Sequence, residues 1–206
     1  MLSLQKVLAN TIDNVDLSQD NAQAVMQQIM DGKATPTQVA ALLVALRIKG
    51  ETIDEITGFA RAMNDASIRV NTTRRPLVDT CGTGGGTVGT FNISTAAAFV
   101  AAGAGVAIAK HGNRSFTTQC GSADVLEALG VTLELPPERI GACIDEIGIG
   151  FLFAPAFHPA MRHAIGPRKE MGIRTVFNVL GPLVSPASAT AQVMGVFDGA
   201  LTETLA

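Results

Sequence analysis

Hydrophobic residues recur at helical spacing over the first 70 residues, in stretches bounded by residues typical of helix ends. Thr35-Pro36 has the form of an N-cap followed by proline at the first helical position, and Gly50 stops the same helix. A capping box at residues 52–55 opens another helix, and Gly32 closes an earlier one. The apolar positions of these helices are Val25 to Met30; Val39, Leu42, Leu43 and Leu46; and Ile56, Phe59 and Met63. We therefore predict a small all-helical domain over residues 1–70.

After Arg75-Pro76 the pattern changes to short apolar runs that alternate with helical stretches, which is typical of an α/β domain with a mostly parallel central sheet. We assign residues 71–206 to this domain. The predicted strands are Leu77–Cys81, Val106–Ala109, Val131–Leu135, Phe151–Phe153 and Gln192–Phe197. The predicted helices are Ser94–Ala102, one from Ser122 to Gly130 and one after Pro136-Pro137. The last helix begins at Ala200 without a returning strand, so we expect an incomplete domain and a fragment of a longer protein.

Composition narrows the possible partners of this chain. Its net charge is -3, it has no Trp or Tyr, and only Phe supplies rings, which argues against nucleic acid. The longest apolar run, Ala96–Ala109, is too short to span a bilayer. Three cysteines (Cys81, Cys120 and Cys143) without a CxxC spacing argue against a disulfide framework or a zinc site and favour a reducing cytoplasm.

Positive charge is concentrated in one part of the chain. Between Thr80 and Ala123 there is no Asp or Glu, but there is a glycine- and threonine-rich loop, 82–95, and a basic cluster, 110–115. Glycines let backbone N–H groups approach an anion, and lysine and arginine neutralise its remaining charge. Both segments follow predicted parallel strands, and ligands gather at the carboxyl ends of such strands. We therefore predict that loop and cluster meet and bind phosphate groups.

The loop does not match the common nucleotide motifs. Residues 84–89 satisfy GxGxxG, but the acidic residue expected about twenty positions later is missing, and Lys110 lies there instead. A Walker A loop is excluded because no lysine precedes Thr90. A glycine turn that serves packing alone is the remaining alternative, and the basic cluster argues against it.

Five segments resemble motifs of the anthranilate phosphoribosyltransferase family, in that family's order: Gly82–Gly85, Thr90–Thr95, Lys110–Ser115, Gly121–Asp124 and Asn178–Leu183. The resemblance implies a nucleoside phosphorylase/phosphoribosyltransferase-like fold. It implies transfer of the phosphoribosyl group of phosphoribosyl pyrophosphate (PRPP) to the amine of anthranilate, with release of pyrophosphate, in tryptophan biosynthesis. It also implies a Mg²⁺ cofactor and a cytoplasmic homodimer formed through the N-terminal helices, with no membrane or nucleic-acid partner.

The resemblance further implies the residues of two binding sites, although it assigns no catalytic residue. For PRPP they are Gly82, Gly85, Gly86, Thr90, Asn92, Ile93, Ser94, Thr95, Lys110, Asn113, Arg114, Ser115, Thr118 and Ser122, and Ser94 would also contact the metal. For anthranilate they are Gly82, Asn113, His158 and Arg168. A planar guanidinium such as that of Arg168 matches a carboxylate in bidentate fashion.

Several of these residues have a second interpretation. Asn92 and Ser94 are also suited to capping a helix, a role compatible with phosphate binding. Lys110 and Arg114 could be the solvated end of a strand. His111 could orient the loop through hydrogen bonds or transfer a proton, and the sequence favours neither role.

The chain also departs from the family. Gly86 stands where the family has an Asp beside the diphosphate and metal, Gln119-Cys120 replaces a common basic residue and serine, and the family's main acidic magnesium ligands lie beyond residue 206. We expect this fragment alone to be inactive or nearly so. A related nucleoside phosphorylase and a noncatalytic paralogue that binds nucleic acid stay open as alternatives.

Overall fold

The computed structural model describes residues 3–84, 91–115 and 120–206. Its helices are α1 (Leu4–Ile12), α2 (Gln19–Met30), α3 (Pro36–Lys49), α4 (Ile53–Asp65), α5 (Ile93–Gly103), α6 (Ser122–Ala128), α7 (Pro137–Ile147), α8 (Ala154–Phe157), α9 (Arg162–Met171), α10 (Phe177–Leu180) and α11 (Thr202–Leu205). Its strands are β1 (Leu77–Asp79), β2 (Ala107–Gly112), β3 (Ile149–Phe153) and β4 (Ala191–Gln192). No helix within these described ranges has the length and apolar character that crossing a bilayer demands.

The chain forms two compact units. The helical unit contains residues 1–67, 158–184 and 202–206, and the α/β unit contains residues 68–157 and 185–201. After β3 the chain therefore returns to the helical unit, at residues 158–184. The returning segment packs helix on helix, with α9 against α2 and α3.

The helical unit begins its helices where the sequence predicts. The hydroxyls of Thr35 and Thr52 accept hydrogen bonds from the backbone N–H of Gln38 and Glu55, and these side chains return the contact, which completes two capping boxes. Helices α2 and α4 approach closely at Gly58, where an added Cβ would lie 2.8 Å from the Ala22 Cβ. The apolar positions predicted from the pattern are buried here, among them Val25, Leu42, Leu46 and Phe59. The small helical domain is confirmed.

The α/β unit is built on a four-stranded sheet in the order β3-β2-β1-β4, and every pairing is parallel. Leu77 of β1 lies opposite Ala107 of β2, and Ile108 lies opposite Ile149 of β3. The buried faces of the strands pack against Ile140 and Ile144 of α7. The predicted α/β class with a mostly parallel sheet is confirmed.

Two predicted strands differ from the structure. Residues 131–135 form no strand, because Leu133 alone of this run is buried and two prolines end it. The strand predicted over 192–197 is observed only at Ala191–Gln192. Val193, which follows this strand, is 71% exposed, because β4 is an edge strand of the described sheet. Strand β2 is longer than predicted and carries Lys110 and His111 within it.

Candidate functional site

The carboxyl ends of β1 and β2 lie side by side, and the start of α5 lies next to them. Lys110 is only 3% exposed, and its Nζ is 3.4 Å from both Thr80 Oγ1 and Ser94 Oγ. The Thr80 hydroxyl donates to the Ser94 carbonyl at 3.0 Å, which ties the end of β1 to the first turn of α5. The prediction that the glycine loop and the basic cluster meet in space is confirmed at these residues.

Lys110 contributes a buried positive charge to the site. Burial lowers the pKa of its ammonium group, whereas the nearby Asp79 and Cys81 act in the opposite direction. Within the described residues no carboxylate oxygen lies in ion-pair range of Nζ, whose partners are two neutral hydroxyls. A buried ammonium group without a counterion is costly, so this position favours an incoming anion.

Asp79 joins the two strand ends. It is fully buried, and its Oδ1 accepts from the backbone N–H of Cys81 at 3.0 Å and of His111 at 3.1 Å. Burial raises the pKa of this carboxyl to about 6, and the hydrogen bonds and Lys110 oppose that shift. Asp79 is not among the site residues predicted from the sequence. The available signal was an acidic residue at the end of an apolar strand, directly before a glycine loop.

The raised pKa of Asp79 predicts a pH dependence of stability. The Asp79 carboxyl has a pKa near 3.8 when the protein is unfolded and about 6 when it is folded. The stability that comes from this difference is therefore fully present below pH 3.8 and is lost as the pH rises through 6. The unfolding free energy of the wild type minus that of Asp79→Asn should therefore fall by at most about 3 kcal/mol over that range. Urea unfolding at several pH values measures this difference, and a flat difference would contradict the burial of an ionisable group here.

The first turn of α5 presents polar groups beside Lys110. Asn92 occupies the N-cap position, but its side chain makes no capping hydrogen bond. The Thr95 hydroxyl is buried and has no hydrogen-bond partner among the described residues. Capping therefore does not account for the Asn92 side chain, and the positive end of the helix dipole lies at this turn. Ile93, by contrast, exposes its side chain.

The turn after β2 is held by the start of α6. Asp124 Oδ2 accepts from the backbone N–H of Ser115 at 3.1 Å and of Gly121 at 2.8 Å. The Ser122 hydroxyl donates to the Asn113 carbonyl at 3.2 Å. The backbone N–H groups of Gly121 and Ser115 are the main cause of the lowered pKa of Asp124. Asp124 thus holds Ser115 and Gly121 close together. The sequence motif that contains Asp124 did not predict this role.

Gly121 lies too close to this turn to carry a side chain. An added Cβ would be 2.4 Å from the Ser115 nitrogen and 2.7 Å from the Asn113 carbonyl oxygen, both of them backbone atoms. Gly121→Ala should therefore shift the turn and lower the unfolding free energy by about 1–3 kcal/mol. Urea unfolding tests this, with Gly166→Ala as the control because, apart from its chain neighbours and the backbone of its own helix, no atom of the described residues lies within 4 Å of its Cβ position. Equal stability of both variants would contradict the close packing.

Arg114 is occupied by carboxylates. Its guanidinium lies 3.1 Å from Asp124 and 2.7 Å from Glu127, and its side chain is 46% exposed. Arg114 lowers the pKa of Glu127, as expected for an exposed ion pair. A phosphate group that binds Arg114 would therefore compete with two acidic side chains, so its assignment to PRPP stays a prediction.

The remaining assigned residues fall in different places. His158 and Arg168 belong to the helical unit, where His158 is buried and the Arg168 guanidinium stacks 5.0 Å from the Phe177 ring centroid. Burial lowers the pKa of Arg168. Gly82, in the α/β unit, leaves no room for a Cβ against the Gly195 carbonyl. The assigned residues Gly85, Gly86, Thr90 and Thr118 lie outside the described residues.

The described residues do not by themselves fit a magnesium ion. Ser94 supplies one hydroxyl oxygen, and the Lys110 ammonium lies 3.4 Å from it. Ligand atoms of Asp79, Cys81 and His111 lie within 4.8 Å of one another, but sulfur and nitrogen suit softer metals, and the Lys110 charge acts on both Asp79 and Cys81 and opposes a cation there. A metal at Ser94 would need anionic ligands from elsewhere.

The chain was compared with models of protein families and with known proteins. Residues 74–206 match the description "Glycosyl transferase family, a/b domain", and residues 5–67 match "Glycosyl transferase family, helical bundle domain". The chain is 59% identical over 204 residues to the anthranilate phosphoribosyltransferase of Desulforamulus reducens and 57% identical to that of Moorella thermoacetica. These matches cover 99% and 98% of this chain but 58% and 60% of the relatives.

Solved structures agree with this similarity. The crystal structure of anthranilate phosphoribosyltransferase from Thermus thermophilus is 52% identical, with a TM-score of 0.91 over 96% of this chain and 60% of that chain. The enzyme from Saccharomyces cerevisiae, in complex with PRPP and Mg, is 30% identical, with a TM-score of 0.89 over 98% of this chain and 60% of that chain. This chain thus spans about three fifths of the length of the relatives it matches.

Proposed function

Because the chain belongs to the glycosyl transferase family, through both its helical bundle and its α/β domain, we propose that it is part of an anthranilate phosphoribosyltransferase. The reaction would join the phosphoribosyl group of PRPP to the amine of anthranilate and release pyrophosphate, a step of tryptophan biosynthesis. The relatives that match nearly the whole chain carry this name, and the yeast structure contains PRPP and Mg.

One observation supports the PRPP assignment most directly: the buried Lys110 ammonium faces the hydroxyls of Thr80 and Ser94 at the start of α5. Together they supply a positive charge, the Ser94 hydroxyl and a helix N-terminus at one point. A diphosphate has several negative oxygens that this combination can bind at once. A neutral ligand would leave the lysine charge without a partner.

The chemistry follows from charge and position. When the bond between ribose C1 and the pyrophosphate oxygen breaks, C1 becomes oxocarbenium-like and negative charge grows on the leaving diphosphate. Lys110 and the positive end of α5 are in place to stabilise that growing charge before the reaction begins. The anthranilate nitrogen forms the new bond to C1 and loses its proton afterwards, so proximity matters more than a strong base.

The anthranilate and metal assignments are parts of the same proposal. Arg168 would bind the anthranilate carboxylate, with Gly82, Asn113 and His158 as further contacts. Magnesium would neutralise diphosphate charge when bound, with Ser94 as one oxygen ligand from this chain. A homodimer through the N-terminal helices and a cytoplasmic location belong to the proposal as well.

Titration calorimetry tests the proposal. PRPP is titrated, with and without Mg²⁺, into this chain and into a chimera continued with the remaining residues of the Desulforamulus reducens relative. We expect the chimera to bind PRPP and then to consume anthranilate, which is followed by its fluorescence.

Other results would favour one of the two alternative functions. A folded chimera that does not bind PRPP would overturn the proposal. Phosphate-dependent cleavage of a nucleoside would instead favour a phosphorylase. Salt-dependent DNA binding would favour a nucleic-acid-binding paralogue.

A further inference from the structure

We propose that Asp79 is a positioning residue that holds the two phosphate-binding segments of the site in register with each other. The inference rests on the proposed function, because it concerns how the PRPP site is assembled. Asp79 would not touch the substrate. It would act through the backbone of the residues that follow β1 and through the end of β2.

The hydrogen bonds of Asp79 cross between two strands. A single oxygen, Oδ1, accepts from the N–H of Cys81, which leads into the glycine loop, and from the N–H of His111, which follows Lys110 directly. The first bond spans two residues and the second spans 32. The segment that carries the glycines and the segment that carries the lysine therefore share one acceptor.

The regular pairing of the sheet does not provide this link. The β1–β2 register is defined at Leu77 with Ala107 and at Val78 with Ile108, both earlier along the strands. Beyond Val78 the bond from His111 to the Asp79 side chain continues the connection between the two chains. Ligands of open parallel sheets bind outside the carboxyl ends of the strands, so this carboxylate would help to fix the separation at which a ligand binds.

A carboxylate at this position is unusual for a purely structural role. Asp79 is 0% exposed, and its Oδ2 has no hydrogen-bond partner among the described residues. A buried acidic group of this kind is costly compared with an apolar side chain of similar size. Such local costs concentrate at functional sites, where geometry matters more than stability.

The test compares variants that do and do not keep the acceptor. Inorganic pyrophosphate and PRPP are titrated into the chimera carrying Asp79, Asp79→Ala or Asp79→Asn. We expect Asp79→Ala to raise both Kd values at least about tenfold, because two backbone donors lose their charged acceptor. Asp79→Asn keeps a carbonyl oxygen for both donors and should restore the Kd values to within about threefold of wild type.

Asp145→Ala is the matched control. Asp145 also accepts a backbone hydrogen bond, from Thr73 at 2.9 Å, and it belongs to the same unit but lies on α7 outside the site. We expect it to lower the melting temperature without changing either Kd. If Asp79→Ala behaves in the same way, Asp79 is merely structural and the inference is wrong.

Amide hydrogen exchange of the wild type gives a readout that does not depend on the variants folding. The Cys81 and His111 amides should be protected before any ligand is added, and free exchange of either would overturn the inference. The two proposals fail differently. A wild-type chimera that binds neither PRPP nor pyrophosphate overturns the proposed function and the inference with it, whereas binding that is equal in all three proteins overturns the inference alone.

Discussion

Lys110→Met is expected to raise the Kd for PRPP by about a hundredfold, because it removes the one buried ammonium group at the junction of β1, β2 and α5 among the described residues. Methionine is unbranched and replaces the apolar stem of lysine without the terminal ammonium group, so the hydrophobic packing around the stem is preserved. The change therefore tests charge rather than volume. The neutral Ser94 hydroxyl would remain, and a hydrogen bond from a neutral donor is about half as strong as a charge-assisted one.

Calorimetry with PRPP measures this effect, and the kinetics should show the loss mainly in kcat/KM. Lys33→Met is the matched control, since Lys33 is a lysine of the helical unit whose side chain is 56% exposed and pairs with Asp31. We expect the control to bind PRPP as the wild type does. Binding by Lys110→Met within threefold of wild type would mean that PRPP does not lie against this ammonium group.

Much of the fold can be predicted because its signals are local. Thr35 and Thr52 are followed by residues that complete capping boxes, so the starts of α3 and α4 can be read from four consecutive residues. The contact of Lys110 with Ser94 can be predicted from topology. Lys110 lies near the carboxyl end of β2, and Ser94 lies in the first turn of the helix that follows the neighbouring parallel strand β1. These inferences need no knowledge of distant packing.

Other features depend on contacts that the sequence pattern does not contain. Val131–Leu135 has the composition of a strand, but a short apolar run becomes a strand only where a partner strand has free hydrogen-bonding groups. Residues 158–184 belong to the helical unit because α9 packs against α2 and α3, although these helices are far from α9 in sequence.

The same limit applies inside the site. Asp79 and Asp124 organise backbone N–H groups from both sides of the site, and acidic residues are not what a search for phosphate ligands selects. Their roles follow from which donors surround them, and that becomes visible only in three dimensions.

Glu55→Ala is expected to cost about 3–5 kcal/mol of unfolding free energy, because Glu55 is a fully buried carboxylate with partners on both oxygens. Its Oε1 accepts from the Leu17 N–H at 3.0 Å, and its Oε2 accepts from the Thr52 N–H and from Lys49 Nζ, both at 2.9 Å. The Lys49 side chain is itself only 4% exposed. Alanine would leave both backbone donors without an acceptor and would leave a buried ammonium group with Asp16 as its remaining carboxylate partner.

The size of this loss distinguishes a buried hydrogen-bond network from an exposed acidic residue in the first turn of a helix. Asp54 is the neighbouring acidic residue in the first turn of α4 and is exposed, so Asp54→Ala should cost no more than about 1 kcal/mol through the helix dipole. Urea unfolding of both variants, followed by circular dichroism, measures the difference. If the two losses are equal, solvent reaches the Glu55 pocket and the capping box alone accounts for its effect. A loss several times larger for Glu55 means that this carboxylate joins the segment before α2 to the end of α3 and the start of α4, so that the helical unit depends on one buried charge.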